Sequence, residues 1–335
     1  MRISDIDYEL PDALIAQKPI EPRDAARLLV ASPGAVSHRT MSEFPGLVSE
    51  GDVVVVNDTR VLPARLVLQR KTGGAAEVLL LEKRSSDGRL WEGLIKPARK
   101  LKEGELLEYF GKRVVRIGPR TEAGDTFVVE ITDDDPLGLI QRIGVMPLPP
   151  YIRGSLKDAE RYQTVYSKNP ASAAAPTAGL HFTPELLARV EAQGAALHRV
   201  ELIVGLDTFK PIATENPLDH VIHSEFYSVP QETLDACRSA RRVIAIGTTA
   251  TRALESAATR GELSGRTSLF ITPGYEWKMV DAMLTNFHMP RTSLLLMISS
   301  FVGPTWRSLY EEALREKYRF LSFGDAMFIH RQEVR

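Results

Sequence analysis

The sequence predicts an α/β fold: a mainly parallel sheet with helices on both faces, interrupted by an inserted small antiparallel β-barrel. Three observations carry this expectation. "GDVVVVNDTR" holds a continuous β-branched run, Val53 to Val56, of the kind found in a strand buried on both faces. From Arg60 onward, six short β-rich runs follow at close spacing, separated by glycine turns. After residue 176, helical patterns alternate with apolar strands, which calls for a parallel sheet covered on both sides. The expected organisation is a discontinuous α/β domain, 1–59 and 150–335, with a barrel domain at 60–149.

The barrel strands are "ARLVLQR", "AAEVLLLEK", "RLWEGLIK", "ELLEYF", "RVVRIG" and "TFVVEIT". Between them stand "TGG", "SSDG", "KEG", "GKR" and "EAGD", all turn chemistry. "DDDPLGLI" ends the run with Pro136 opening a short helix, and "GVMPLPPYIRG" leads back out. Farther on, "TPELLARVEAQG" reads as a helix with Thr183 as N-cap, Pro184 at the first helical position and Gly194 as its stop. The strand "ALHRVELIVG", the helix "PQETLDACRSARR", the strand "VIAIG" and the helix "TTATRALESAAT" follow. Then come a strand "TSLFIT", a turn "MLTNFHMP" and two C-terminal helices.

At 335 residues and 44% apolar content the chain buries a large core. Its N-terminus, rich in Asp and Glu, lacks the apolar stretch of a signal peptide, and no apolar run approaches the roughly 20 residues of a membrane span. "TSLLLMISSFVG" is short enough to be a buried helix. A single cysteine, Cys237, excludes an internal disulfide framework and a cysteine-rich metal site, and a reducing cytoplasm is the expected location. Net charge is −1, yet Arg60 to Arg113 holds 13 Lys or Arg against 7 Asp or Glu. This asymmetry permits a positive face, although solvation of strand surfaces explains it equally well.

Candidate chemistry lies at the loops. In "IGTTATRALES" a strand runs into a helix through Gly247, Thr248 and Thr249, a place where free N–H groups and the helix dipole suit an anionic group. Thr248 as a plain helix cap is an equal reading. The stretch lacks both the P-loop lysine and the glycine spacing of a dinucleotide site, which argues against ATP or NAD. "PTAGLHFTPELL" places Gly179, which allows an unusual backbone or a close ligand approach, and His181 before a cap, and "TNFHMPRTS" places His288 between Asn286 and Pro290. Lone histidines are more often packing residues than catalysts. His220 and His223 share a helical face in this reading but lack a third ligand, so no metal is assigned. Asp207 and Glu225, in turns after apolar runs, are candidate acid–base groups. No nucleophile signature is present.

Taken together, "NDTRVLPARL", "PTAGLHFTPELL", "GLDTFKPI", "GTTATRALES", "LTNFHMPRTSLLLMISSF" and "YRFLSFGDAMFI" resemble the S-adenosylmethionine:tRNA ribosyltransferase-isomerases of queuosine biosynthesis, nearly end to end and in order. The resemblance implies an α/β domain with an inserted barrel. It implies transfer and isomerisation of the ribosyl group of S-adenosylmethionine, a consumed co-substrate, with no metal or redox cofactor. The acceptor would be 7-aminomethyl-7-deazaguanine at the wobble position of GUN-anticodon tRNA, giving epoxyqueuosine-tRNA, adenine and methionine. A monomer away from membranes is expected.

Such a reaction needs a base near the sulfonium and help for the departing adenine. On this resemblance His181 and His288 are the acid–base pair, with Asp207 or Glu225 as orienter or alternative base. Asn57, Asp58, Thr59 and Arg60 close the site, joined by Thr177, Gly179 and Asn286. Gly247, Thr248, Thr249 and Arg252 hold the methionine carboxylate or a phosphate. Lys96, Arg99, Lys100 and Lys102 form one basic cluster for tRNA phosphates. Arg153 and Arg161, with Lys157 and neighbouring aromatic rings, form a second, suited to an unpaired base. Rival readings are an S-adenosylmethionine-dependent RNA methyltransferase, which would leave S-adenosylhomocysteine, and a non-catalytic RNA-binding protein.

Overall fold

The computed structural model describes residues 1–332 apart from 33, 122–123, 125, 155, 157, 206–210 and 223. The chain forms two compact units. One comprises Met1–Thr59, Pro149–Lys168 and Pro176–Arg335; the other comprises Arg60–Leu148 and Asn169–Ala175. The short return segment joins the second unit because Leu62 N–H donates to Ser172 O at 3.0 Å.

The first unit is built on a nine-stranded sheet. Its order is Ser264–Thr267, Glu225–Ser228, Ala196–Leu202, Asp52–Asn57, Arg242–Ile246, Ala282–Asn286, Ala326–His330, Arg27–Ser32 and Ala35–Thr40. The four strands from Ala196–Leu202 to Ala282–Asn286 are parallel. Ala326–His330 then turns antiparallel, and both edges are antiparallel hairpin-like pairs. Ala326–His330 runs parallel to Arg27–Ser32 on its other side, so the sheet is mixed, with four parallel and four antiparallel neighbouring pairs, which refines the expected mainly parallel sheet.

Asp52–Asn57 is buried along all six residues, as its β-branched run requires. Val54, Val56, Ile244, Ile246, Leu284 and Phe328 face one side, where Phe182, Leu186 and Val190 cover them. The alternate residues Val53, Val55, Val243, Ala245 and Met283 are equally buried, and the helix Gly247–Arg260 packs against these strands. Side chains pin both ends of the central strand. Asp52, fully buried, takes Nη2 of Arg241 at 2.7 Å and Nη2 of Arg242 at 2.5 Å. Asn57 donates Nδ2 to Leu202 O at 2.9 Å and accepts Leu202 N–H at 3.1 Å.

The helix Pro184–Ala192 starts as its sequence dictates: Thr183 Oγ1 accepts the Leu186 N–H, with Pro184 in the first turn. The apolar "TSLLLMISSFVG" stretch supplies Ser293–Val302, a ten-residue helix with its apolar residues largely buried. Among the described residues no helix is long and apolar enough to cross a membrane. Two local expectations change. The strand expected at "TSLFIT" is Ser264–Thr267, and the expected turn "MLTNFHMP" opens with the buried strand Ala282–Asn286.

The second unit is a six-stranded antiparallel barrel of Arg65–Arg70, Ala75–Lys83, Leu90–Lys96, Leu106–Tyr109, Lys112–Arg120 and Phe127–Ile131. It closes because Arg65–Arg70 pairs with Ala75–Lys83 on one side and with Leu106–Tyr109 on the other. Asp135 accepts the Gly138 N–H to cap Pro136–Ile143, as the Asp-Pro junction predicts.

Candidate active site

The site is built where parallel strands end. The central strand ends at Asn57 and continues into Asp58, Arg242–Ile246 continues into Gly247, and Ala282–Asn286 ends at Asn286. A short 3₁₀ helix, Thr177–His181, packs against the last of these strands and against the helix Gly247–Arg260.

Asn286 ties this helix to the sheet. Thr177 Oγ1 donates to Asn286 Oδ1 at 2.9 Å, while Asn286 Nδ2 lies 3.4 Å from Asp325 O and 3.3 Å from His181 Nε2. A backbone carbonyl can only accept, so the amide nitrogen faces Asp325 and also donates to His181. His181 Nε2 is thereby an acceptor, and the neutral ring carries its hydrogen on Nδ1. Burial, then the positive charges of Arg319 and Arg23, lowers the His181 pKa to about 4. The ring is neutral at pH 7.

His288 does not join it. The His288 ring lies 3.4 Å from Thr285 Oγ1 and 3.5 Å from the Tyr310 hydroxyl, with its backbone N–H donating to that hydroxyl at 3.0 Å. The Tyr8 hydroxyl donates to the His288 carbonyl. Thr285 and Asn286 are successive residues of one strand, so their side chains leave opposite faces of the sheet. The histidines they hold are on opposite sides, which corrects the expected acid–base pair. Burial alone brings His288 down to about 3, and both of its ring nitrogens have neighbours.

Other expected groups divide clearly. Glu225 lies in a strand, not a turn; its Oε2 receives Arg252 Nη1 at 2.5 Å and its Oε1 receives the Gly205 N–H at 3.0 Å. Arg252 also donates Nη2 to Thr267 O at 3.2 Å. This buried ion pair engages both groups with each other in the core. Asn57 is the strand clamp described above, its Oδ1 also accepting Thr59 N–H at 3.2 Å, which removes it from the ligand-facing set. Asp207 and His223 lie outside the described residues. Arg60 belongs to the barrel unit. Thr248 does not cap its helix: the N-cap position is Ile246, without a side-chain cap, and Gly247 adopts φ +87°. Among the described residues the helix start has no side-chain cap, and Thr249 Oγ1 is buried without a hydrogen-bond partner.

Asp58 gains importance. It is half-buried, and burial pushes its carboxyl above the ordinary range against the opposing charges of Arg199 and Lys168. Its charge also acts on Tyr166, whose ring packs beneath the Thr177–His181 helix. Gly179 is needed for that packing, because a Cβ there would stand 2.0 Å from the Tyr166 hydroxyl and 2.8 Å from Thr164 Cγ2. The space above Gly179 is filled by tyrosine rather than open to a ligand, correcting the expected close approach. Sequence reasoning missed Arg23, which holds the helix from the other side: its guanidinium donates to Leu180 O at 3.1 Å, Gln163 O at 2.8 Å and Glu160 O at 2.9 Å. Its only local signal is the "EPRDAA" turn, because all three acceptors are far along the chain, at least 137 residues away.

Among the RNA candidates, Lys96, Arg99, Lys100 and Lys102 are exposed on the barrel, with Lys96 3.4 Å from Glu77. Arg153 is exposed and paired with Asp12 at 2.7 Å. Arg161 is tied to Ile20 O and to Glu21, so it is a structural residue. Tyr162 and Tyr166 are buried and Tyr151 bonds Ser322 at 2.7 Å, so these rings are not displayed for stacking. Cys237 is buried, which raises its thiol to about 12 and suits it to packing. His220 follows a single 3₁₀ turn, not a longer helix, and among the described residues no three His, Cys, Asp or Glu side chains converge as metal ligands.

The fit of Gly179 against Tyr166 can be tested. Gly179→Ala is expected to cost about 1–3 kcal/mol from overpacking. Tyr166→Phe in the same chain should recover part of that loss, because the nearest clash is with the hydroxyl. Urea unfolding of both single variants and the double gives the coupling, and strictly additive losses would show that the two residues are independent.

Over residues 3–329 the chain matches the family model of the queuosine biosynthesis protein. It is 48% identical over 333 residues to the S-adenosylmethionine:tRNA ribosyltransferase-isomerase of Rubrobacter xylanophilus, covering 98% of each chain. The protein of the same name from Symbiobacterium thermophilum is 47% identical over 345 residues, covering 98% of this chain and 100% of that one. The crystal structure of S-adenosylmethionine tRNA ribosyltransferase from Thermotoga maritima matches with a TM-score of 0.55 and 35% identity, over 97% of this chain and 99% of that one. With the strand-end site and the closed barrel in place, this agreement along the whole chain shows that the protein belongs to the S-adenosylmethionine:tRNA ribosyltransferase-isomerase family of queuosine biosynthesis.

Proposed function

We propose that the enzyme transfers and isomerises the ribosyl group of S-adenosylmethionine onto 7-aminomethyl-7-deazaguanine at the wobble position of GUN-anticodon tRNA. The products are epoxyqueuosine-tRNA, adenine and methionine. The observation that carries this reading is family agreement over residues 3–329 at nearly half identity with relatives of full length. S-adenosylmethionine is consumed as co-substrate, and the reaction as proposed calls for no metal. The same proposal includes a monomer acting in the cytoplasm.

The geometry favours particular roles. Asp58, a partly desolvated carboxylate with raised basicity, is suited to attract the sulfonium and remove the proton from the adjacent carbon. His181 is suited to a different task from the one its sequence suggests. With Nε2 held by Asn286 and a pKa of about 4, it presents a neutral Nδ1–H, a hydrogen-bond donor for a departing adenine nitrogen. The uncapped first turn at Gly247, Thr248 and Thr249 suits the methionine carboxylate. Methionine then leaves as the epoxide closes. The exposed Lys96, Arg99, Lys100 and Lys102 support phosphate contacts, which would give tRNA binding a salt dependence.

Incubation with S-adenosylmethionine and tRNA carrying 7-aminomethyl-7-deazaguanine, followed by mass analysis of the nucleosides, tests the reaction. Free adenine and an epoxyqueuosine mass are expected, whereas S-adenosylhomocysteine would support a methyltransferase instead. His181→Ala should slow adenine release at saturating tRNA by about 10²-fold or more, the usual effect of losing a positioned donor. Near-normal turnover would remove His181 from the reacting centre.

A further inference from the structure

Recognition of an unpaired base calls for a rigid, exposed aromatic ring beside cations. The rings of Tyr151, Tyr162 and Tyr166 are buried or hydrogen-bonded and do not provide one. Among the described residues Phe110 is the one Phe, Tyr or Trp side chain that stands fully exposed, with 90% of its surface open.

Phe110 stands at the tip of the two-residue hairpin between Leu106–Tyr109 and Lys112–Arg120, where Tyr109 pairs with Lys112. Phe110 has φ +47° and Gly111 has φ +81°. A two-residue loop with both φ positive is the type I′ turn, for which Asn-Gly or Asp-Gly is the favoured pair. A bulky residue in the first position is held against its steric preference, and here its ring gains almost no burial in return. Tyr109 meets the ring edge-on, with centroids 4.7 Å apart and planes at 84°, and so fixes its direction. Lys112 and Arg113 follow directly with exposed side chains. Lys112 lies 2.7 Å from Asp133, and Arg113 lies 3.9 Å from Glu108. The long Arg113 pair is of the weak surface kind, and Lys112, though bound to the largely buried Asp133, is 70% exposed and has further N–H groups to offer a phosphate.

We propose that Phe110 is a base-stacking contact for tRNA, its ring packing on an unpaired base while Lys112 and Arg113 meet the flanking phosphates. This assignment rests on the reading of the enzyme as one that modifies tRNA. The turn supplies the conformational cost, the hairpin returns the edge contact with Tyr109 and almost no burial, and a stacked base would take the exposed face out of water.

Phe110→Asn separates a binding role from a structural one, since it installs the residue the turn prefers and removes the ring. The unfolding temperature should rise by about 2–4 °C. Affinity for purified tRNA carrying 7-aminomethyl-7-deazaguanine should fall about tenfold, with the loss in KM for tRNA rather than in kcat. Phe110→Trp should keep the affinity, and its added indole fluorescence should be quenched when that tRNA binds. If the wild-type enzyme is active and Phe110→Asn binds tRNA equally well, the assignment is overturned. It is overturned as well if Phe110→Asn abolishes self-association and leaves tRNA affinity intact, because the ring would then dock a second copy. A wild-type protein that neither binds nor modifies the tRNA would overturn the functional reading itself.

Discussion

The side chain of Asn286 is the constraint on which the rest of the site depends. It ends a buried parallel strand and joins two distant segments: the Thr177–His181 helix, through Thr177 and His181, and the carbonyl of Asp325. Because the carbonyl accepts only, the amide has one favourable orientation, and that orientation decides which imidazole nitrogen of His181 carries hydrogen. A side chain with interchangeable ends would leave the tautomer open. Here a backbone carbonyl just ahead of the strand Ala326–His330 selects the protonation pattern of a residue on another element.

The surrounding packing turns that bond into a position. The Thr177–His181 helix is too short to hold itself, with little more than one turn of 3₁₀ hydrogen bonding. Tyr166 fits beneath Gly179, and Arg23 binds the Leu180 carbonyl together with two carbonyls of the Glu160–Gln163 segment. Burial and the two nearby guanidinium charges then keep His181 neutral. A neutral, oriented N–H is a useful electrostatic element where an imidazolium would repel the sulfonium of S-adenosylmethionine. Asp58 contributes the opposite sign from the end of the central strand, poised by partial burial.

Much of the fold is legible because its signals are local. The Val53–Val56 run, the Thr183-Pro184 start and the glycine turns of the barrel each act through immediate neighbours, and each forms what its residues prefer. The mixed character of the sheet is less visible, since Ala326–His330 pairs antiparallel with the distant strand Ala282–Asn286. At the site, the partner decides the role. Glu225 and Arg252 look like separate functional groups in sequence but neutralise one another in the core. Gly179 looks like a ligand approach until Tyr166 is found against it. The separation of the two histidines does have a local signal: "MLTN" is apolar and β-compatible, and strand alternation there sends Thr285 and Asn286 to opposite faces, parting His288 from His181.

Asn286 holds His181 as a neutral imidazole with hydrogen on Nδ1. Nitrogen-15 NMR of the labelled imidazole, read from pH 8 downward in wild type and in Asn286→Ala, measures this directly. The expected result is an Nδ1–H tautomer that stays unprotonated down to about pH 5, consistent with a pKa of about 4, and a mixture of tautomers once Asn286 is removed. An imidazolium at pH 7, or an Nε2–H tautomer in the wild-type enzyme, would contradict it.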